Sequence, residues 1–400
     1  MLSPLDVPES FTVRSVAGIF VMQRLSATEF EGRANAFVLD VDLVVRADAT
    51  SVTAALSGDV GREGFGTVST EGKVSFFEDA VAVISSWVDH VAAEAIEDYA
   101  ADVKYLDTPD GRIAYWGYNT HLEGTPAVFV HGGPGGDSNP VKARRLMLDR
   151  PVYLFDQMGC GMSDPIKDYD AWHIDDYIRQ TDAVISHVTD GKVILIGASW
   201  GAGLSLAYAS ATKYAKVAGM VLISPFLSSR KWNEDMDENL RSMGGDYLSI
   251  VEKARKDGVF GEDFYRTLEE YNARFLFCRK EFRPYALVSA REEPNETFRR
   301  LCGPNDFVTD GKLKDFDVSG KLSEIDVPVL FMCGDSDEVT IPRIMEYYSA
   351  VRGARLSIVA HAGHVLALEQ FDQYRDAIRA FEQQFEYALE NYFAPQARKI

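Results

Sequence analysis

The chain has 400 residues and a formal net charge of −20. That length exceeds one ordinary domain, and that charge repels nucleic acid and anionic membrane alike. Hydrophobic residues make up 46% and charged residues 26%, the balance of a globular protein in which acidity chiefly serves solubility.

Four cysteines (Cys160, Cys278, Cys302 and Cys333) are scattered, with no CxxC and no Cys/His cluster. Reduced thiols are expected, and no structural metal. Met1-Leu2-Ser3-Pro4-Leu5-Asp6 carries no basic stretch ahead of an apolar core, so no secretion signal is expected. No apolar run approaches the length of a membrane span. A cytoplasmic protein is the expectation.

Residues 1–100 contain no motif of known chemistry. Phe11 to Gln23 and Asn35 to Arg46 are rich in Val, Phe and Ile and predict strands, and the glycines between Ser57 and Gly72 predict turns. From Phe76 to about Ala100, apolar residues recur at helical spacing (Val81, Ile84, Trp87, Val88, Val91), which predicts an amphipathic helix. A small α+β extension follows, with packing as its simplest role.

The pattern changes at Val103. Val103 to Asp107 and Arg112 to Tyr118 flank Pro109-Asp110-Gly111, the composition of a hairpin turn. Short apolar runs follow at Ala127–Val130, Val152–Phe155, Val193–Ile196, Met220–Ile223, Val327–Met332 and Leu356–Val359, separated by helical patterns such as Trp172 to Val188 and Tyr374 to Leu389. Runs of this kind predict a buried, mostly parallel sheet with helices on both faces. One interval breaks the alternation. From Phe226 to about Ile325 there are only polar, helix-like stretches with aromatics, and a helical cap over the carboxyl ends of the strands is expected. The expected division is an extension at 1–100, an α/β core at 101–225, a cap at 226–325 and the rest of the core at 326–400.

The candidate chemistry lies in the loops after these strands. Gly197-Ala198-Ser199-Trp200-Gly201 sits between a buried apolar strand and a small-residue helix. A strand that reverses into a helix within one residue strains the apex, and flanking glycines remove the Cβ atoms that would collide there. Ser199 is left at the apex, presented as a nucleophile. His131-Gly132-Gly133-Pro134-Gly135-Gly136 follows another strand, and its glycines let backbone N–H groups turn toward a developing oxyanion. Asp156 to Asp164 is read as a glycine-rich structural turn. A serine nucleophile needs a base, and the base needs an orienting acid. On residues alone Asp335 or Asp337 serves as acid and His361 or His364 as base. The chain order Ser, Asp, His is that of α/β-hydrolases.

With these stretches assembled, the chain resembles the α/β-hydrolase superfamily, and within it the proline iminopeptidases and the related tricorn-interacting aminopeptidases. The resemblance rests on HGGPGG at 131–136, DQMGCGMSD at 156–164, GASWGAGLSLAYA at 197–209, CGPNDF at 302–307, GDSDEVTIP at 334–342 and HAGH at 361–364. It spans roughly residues 105–390 and leaves 1–100 uncovered. It implies an α/β-hydrolase fold, Ser199 as nucleophile, Asp337 as acid and His364 as base, with the backbone N–H groups of Gly133 and Trp200 as oxyanion donors. It further implies two acidic side chains that hold a substrate's free α-ammonium. One falls on Glu338, and the other on Asp306, where relatives usually carry glutamate; the shorter side chain puts substrate choice in question.

The expected activity is that of a serine hydrolase cleaving the N-terminal residue from small peptides or amino-acid amides, without metal or organic cofactor. An esterase or an acyl transferase/cyclase on a specialised substrate is the alternative, and a ligand-binding protein with a retained triad a third. Neither nucleic acid nor membrane is an expected partner, and the oligomeric state is not readable.

Overall fold

The structure is a computed structural model. It describes residues 103–138, 148–291 and 294–388, together with the N-terminal strands within residues 10–69. The chain divides into two compact units, Met1–Val103 with Asn139–Arg145, and Lys104–Ser138 with Leu146–Ile400.

In the first unit, β1 (Ser10–Ser15), β2 (Gly18–Arg24), β3 (Glu29–Ala36), β4 (Leu39–Ala47), β5 (Val52–Asp59) and β6 (Thr67–Ser69) pair in sequence order as one antiparallel sheet. Both stretches predicted as strands take part. The glycine-bearing stretch after Ser57 is strand at both ends rather than turn throughout. Strand β5 pairs with β4 from Val52 opposite Ala47 to Asp59 opposite Asp40, and this register carries Gly58 into the ladder; cross-strand pairing overrides the local preference of glycine. The helix predicted from Phe76 lies outside the described residues.

The second unit is built on eight strands: β7 (Lys104–Thr108), β8 (Gly111–Tyr118), β9 (Ala127–Val130), β10 (Val152–Phe155), β11 (Val193–Ala198), β12 (Val217–Ile223), β13 (Val329–Gly334) and β14 (Arg355–Val359). Their order across the sheet is β14-β13-β12-β11-β9-β10-β8-β7. Only the β7–β8 hairpin and the β8–β10 pair are antiparallel. Strands β12 and β13 are buried at every residue and β11 at all but its last. Alternate side chains point to opposite faces, so continuous burial means that both faces are covered. Helices supply the cover: α1 (Ile174–Val188), α2 (Trp200–Ala211), α8 (Ile341–Ala350) and α10 (Phe371–Ala388), with the short α9 (Leu366–Glu369) ahead of α10.

Between β12 and β13 lie α3 (Ser229–Met243), α4 (Tyr247–Asp257), α5 (Glu262–Tyr271), α6 (Arg283–Ser289) and α7 (Glu296–Leu301). A π-helical turn spans Asn272–Leu276 and continues α5. Among the described residues of this segment only the isolated bridges Ser228–Asp317 and Asn305–Val308 are strand-like. Local signals set its helices: the Ser228 hydroxyl caps α3, the Asn295 side chain caps α7, and left-handed Gly258 ends α4. Met236 and Leu240 of α3 pack with Val251 and Ala254 of α4, Phe264 and Leu268 of α5, and Phe307, giving the segment an apolar core of its own.

Strand order positions the site. The chain leaves β9 toward β10 on one side and returns to place β11 on the other. The direction of winding therefore reverses at β9, and a crevice opens at the carboxyl ends of β9 and β11. The glycine loop follows β9, and Ser199 follows β11.

Candidate active site

Ser199 stands at the junction of β11 and α2 with φ 52° and ψ −119°. This positive φ is strained for any residue with a side chain, and such strain gathers at functional turns. Close packing holds it. A Cβ on Gly201 would lie 2.0 Å from the carbonyl oxygen of Val130 and 2.6 Å from that of His131, so only glycine lets the turn meet the end of β9. The Ser199 N–H donates to Ile223 O at 2.8 Å, and its carbonyl accepts from Phe226 N at 3.2 Å. Helix α2 begins at once, and the Trp200 N–H has no partner among the described residues.

The glycine loop lies against this turn: a Cβ on Gly132 would stand 3.0 Å from Ala198 O and 3.3 Å from Ser199 Cβ. Among the described residues the Gly133 N–H likewise donates to nothing. One side chain ties both donor-bearing segments together: Gln157 Nε2 donates to His131 O at 3.0 Å, and Gln157 Oε1 accepts from Trp200 Nε1 at 2.9 Å. His131 is buried, and its ring accepts from Gln157 N at Nε2 while Nδ1 faces Gly132 O. Burial lowers its pKa to about 4, so this imidazole is neutral and structural. Asp156 accepts from Ser138 N and Met162 N, each at 2.7 Å, and braces the glycine-rich turn at 156–164 as expected of a structural element.

The imidazole of His364 and the carboxylates after β13 come together. His364 Nδ1 lies 2.8 Å from Asp337 Oδ1. Asp337 also accepts from Ser224 Oγ at 2.5 Å, Gly334 N at 3.0 Å and Val339 N at 3.2 Å, which fixes its orientation. With Nδ1–H directed at Asp337, Nε2 is left to accept a proton. The two alternatives fall apart spatially. Asp335 accepts from the backbone N–H groups of His361 and Ala362 and so holds the loop that carries His364. Glu369 accepts from Gly363 N at 2.6 Å on the other side. Ser199 Oγ makes no hydrogen bond among the described residues; the turn at Ser199 is tied to the His364–Asp337 pair through Ile223 and Ser224. Contacts between a nucleophile and its base commonly tighten only when substrate binds.

Two more carboxylates act on the imidazole, Glu338 in contact and Asp306 through its charge. Glu338 Oε2 is 3.5 Å from His364 Nδ1. Burial raises its pKa to about 7, His364 opposes the rise, and Asp306 and Asp337 add to it. Asp306 belongs to the segment between β12 and β13. It remains accessible to solvent although protein surrounds it closely enough to raise its pKa by desolvation, the situation of a group lining a recess. Neither carboxylate accepts a hydrogen bond from a described residue. At His364, burial alone would lower the pKa, but attraction to Glu338, Asp337 and Asp306 outweighs it and carries the ring up to about 9.

Several contributors had no signal in the sequence. Asn239 Nδ2 reaches the carbonyl oxygens of Glu338 at 3.0 Å and Asp337 at 3.4 Å. The His364 N–H donates to Phe275 O at 2.7 Å, so the π-helical turn holds the imidazole's own backbone; π-turns recur at functional sites. Among the aromatics between β12 and β13, Phe226, Tyr271, Phe277 and Phe307 are buried core. Trp232 and Phe275 are half-buried, and the Trp232 ring meets the His364 ring edge-on at 5.5 Å. No cluster of His, Cys, Asp and Glu among the described residues could hold a metal ion. None of their helices is long and apolar enough to cross a membrane.

Comparison with known proteins bears on family and fold. The profile of a family described as alpha/beta hydrolase fold matches residues 125–371. A proline iminopeptidase of Heyndrickxia coagulans is 30% identical over 285 residues, covering 69% of this chain and 97% of the relative. Another, from Saccharolobus solfataricus, is 29% identical and covers 64% of this chain and 83% of its own. Among solved structures, a proline iminopeptidase of Mycobacterium smegmatis superposes with a TM-score of 0.61 at 20% identity, over 72% of this chain and 99% of that one. At such identity the superposition speaks for the fold alone.

Proposed function

The chain belongs to the α/β-hydrolase family, in its proline iminopeptidase-like branch, and from that premise we propose that it is a serine hydrolase releasing the N-terminal residue of small peptides or amino-acid amides. The observation that carries the reading is the His364 Nδ1–Asp337 Oδ1 contact of 2.8 Å, with Glu338 Oε2 3.5 Å from the same nitrogen.

Ser199 Oγ attacks the carbonyl carbon of the first residue while His364 Nε2 takes its proton. Asp337 keeps the ring in the tautomer with Nδ1 protonated and stabilises the imidazolium. The tetrahedral oxyanion receives the N–H groups of Gly133 and Trp200, each contributing about 3 kcal/mol in comparable sites. His364 then protonates the leaving amine, and water attacks the acyl-enzyme by the same route in reverse. Glu338 and Asp306 bind the α-ammonium by charge-assisted hydrogen bonds and so fix where the carbonyl lies. The helical segment at 226–325 acts as the cap that supplies Asp306, Trp232 and Phe275. A cytoplasmic setting suits its four cysteines, none of them in a disulfide.

The test is hydrolysis of aminoacyl amides and nitroanilides, each with a free and an acetylated α-amine, alongside labelling of Ser199 by a fluorophosphonate. Cleavage of the free forms alone, with Ser199 labelled, is expected. Equal cleavage of both forms would discard the aminopeptidase and leave a serine hydrolase. An unlabelled Ser199 would discard the nucleophile.

A further inference from the structure

Glu338 occupies an unusual position for a group whose assigned partner is a substrate ammonium. Its Oε2 lies 3.5 Å from the same His364 nitrogen that Asp337 approaches at 2.8 Å. It accepts no hydrogen bond from a described residue, whereas Asp337 is satisfied by Ser224, Gly334 and Val339. The only described group that compensates its charge is therefore the imidazole. On the reading above, that same carboxylate must turn to an ammonium when substrate arrives.

Resting on that reading, we propose that Glu338 makes the catalytic base respond to the substrate's amine: with the site empty its carboxylate keeps His364 doubly protonated, and an ammonium bound between Glu338 and Asp306 takes over the charge and frees Nε2. The exchange balances. One cation enters, the Nε2 proton of the imidazolium leaves to solvent, and Nδ1–H stays on Asp337. No covalent bond to carbon changes in this step.

The surroundings leave His364 few other ways to be neutralised. The ionisable groups whose charge acts on it are Asp337 and Glu338, both in contact on the loop after β13, and Asp306 from the inserted segment. Tyr271 of α5, Cys302 and Cys333 feel the charge of these carboxylates, and burial keeps all three uncharged. Trp232 of α3 meets the ring with an apolar edge. Asp335 and Glu369 are occupied by backbone N–H groups of the His364 loop. No lysine or arginine is among the influences on Glu338. The direction of the shift at His364, upward despite burial, agrees with an imidazole held protonated by carboxylates.

The consequence is selectivity in the chemical step itself. A substrate without a free amine would meet a base that already carries its proton, even if it fitted the site. Free-amine substrates would be favoured in kcat as well as in KM.

Labelling of Ser199 by an uncharged fluorophosphonate tests this without any peptide cleavage. Its rate is followed from pH 5 to pH 10 in the wild type, in the wild type with saturating prolinol, and in Glu338→Gln. Prolinol offers an ammonium and no scissile carbonyl. In the wild type the acid-side midpoint is expected to fall by about one pH unit with prolinol, roughly a tenfold faster labelling below the midpoint. Glu338→Gln is expected to show the lowered midpoint without prolinol and no further response to it. A wild-type midpoint unmoved by prolinol would overturn the proposal, and that arm needs no substitution to fold. So would a Glu338→Gln midpoint equal to the wild type's. Free-amine substrates cleaved exclusively, with the midpoint unmoved, would remove this coupling while leaving the aminopeptidase reading intact.

Discussion

The backbone N–H of His364 donates to the carbonyl oxygen of Phe275 at 2.7 Å, and Val365 N donates to Leu276 O at 3.2 Å. The loop that presents the imidazole is thereby stitched to the π-helical turn of the inserted segment. Phe275 and Leu276 end the helical run, where the last carbonyls have no intrahelical partner, and the loop takes both. The segment that carries Asp306 thus also anchors the backbone of His364.

Gly363 is the residue this contact constrains most. A Cβ there would stand 2.7 Å from Phe275 O and 2.8 Å from Leu276 O. These are backbone atoms, with little room for relief, so Gly363→Ala must part the loop from the turn. A loss of about 1–3 kcal/mol in stability is expected from the overpacking, together with a fall in kcat of at least about tenfold from the displaced imidazole. Chemical denaturation and steady-state kinetics check it, and a variant with wild-type kcat would show that the contact does not position the ring.

Gln157 links the two segments that bear the candidate oxyanion donors. Gln157→Leu leaves Trp200 Nε1 without its acceptor and His131 O without a donor, both in buried surroundings. Each unpaired group costs about 1–3 kcal/mol. The expected result is a destabilised enzyme whose kcat falls roughly 10- to 100-fold, with KM changed less, since the donors act on the transition state. Gln157→Glu retains the acceptor for Trp200 and loses only the bond to His131, so it should fall between the two. Equal kcat for all three proteins would remove Gln157 from the positioning of the donors.

Much of this architecture is legible in the sequence because its causes are local. The buried strands announce themselves as apolar runs, and the turn at Ser199 by two glycines that packing demands. What escaped depends on neighbours distant in the chain. Residue types alone do not choose between Asp335 and Asp337, or between His361 and His364, because each pair shares one loop. Only the folded geometry brings Asp337 to the ring and spends Asp335 on the loop backbone. Gln157 reads as one polar residue in a glycine-rich turn until β10 and β11 are seen to flank β9. The π-turn has no signature of its own, being the continuation of α5. Strand β5 was hidden by its glycine and emerges only through pairing with β4.

The carboxylate cluster also leaves a mark on stability. The His364 pKa rises from 6.5 to about 9 on folding. A group raised in this way stabilises the fold fully below its unfolded pKa, and the contribution is lost as pH climbs through the folded value. Glu338, raised by burial from 4.5 to about 7, has the same sign over a lower window. The melting temperature of the wild type is therefore expected to decline between about pH 6.5 and pH 9, and His364→Gln should flatten that decline. Parallel curves for the two proteins would place the titrating group elsewhere.

On the proposed function, the length of the Asp306 side chain bears on substrate. Burial raises its pKa and the charge of His364 lowers it, so its carboxylate is poised to gain from an incoming cation. An aspartate reaches one methylene less far than a glutamate, which lengthens the contact to the amine or interposes a water. Asp306→Glu should shorten that contact. A several-fold lower KM for small free-amine amides is expected, with little effect on acetylated ones. If instead the shorter side chain makes room for a bulkier amine, Asp306→Glu would raise KM for substrates substituted at nitrogen while sparing primary amines. Asp306→Asn, which keeps the size and removes the charge, should raise KM for every free-amine substrate. Measuring KM for primary, secondary and acetylated amine series in all three proteins separates reach from charge. An Asn variant indistinguishable from the wild type would show that Asp306 takes no part in holding the amine.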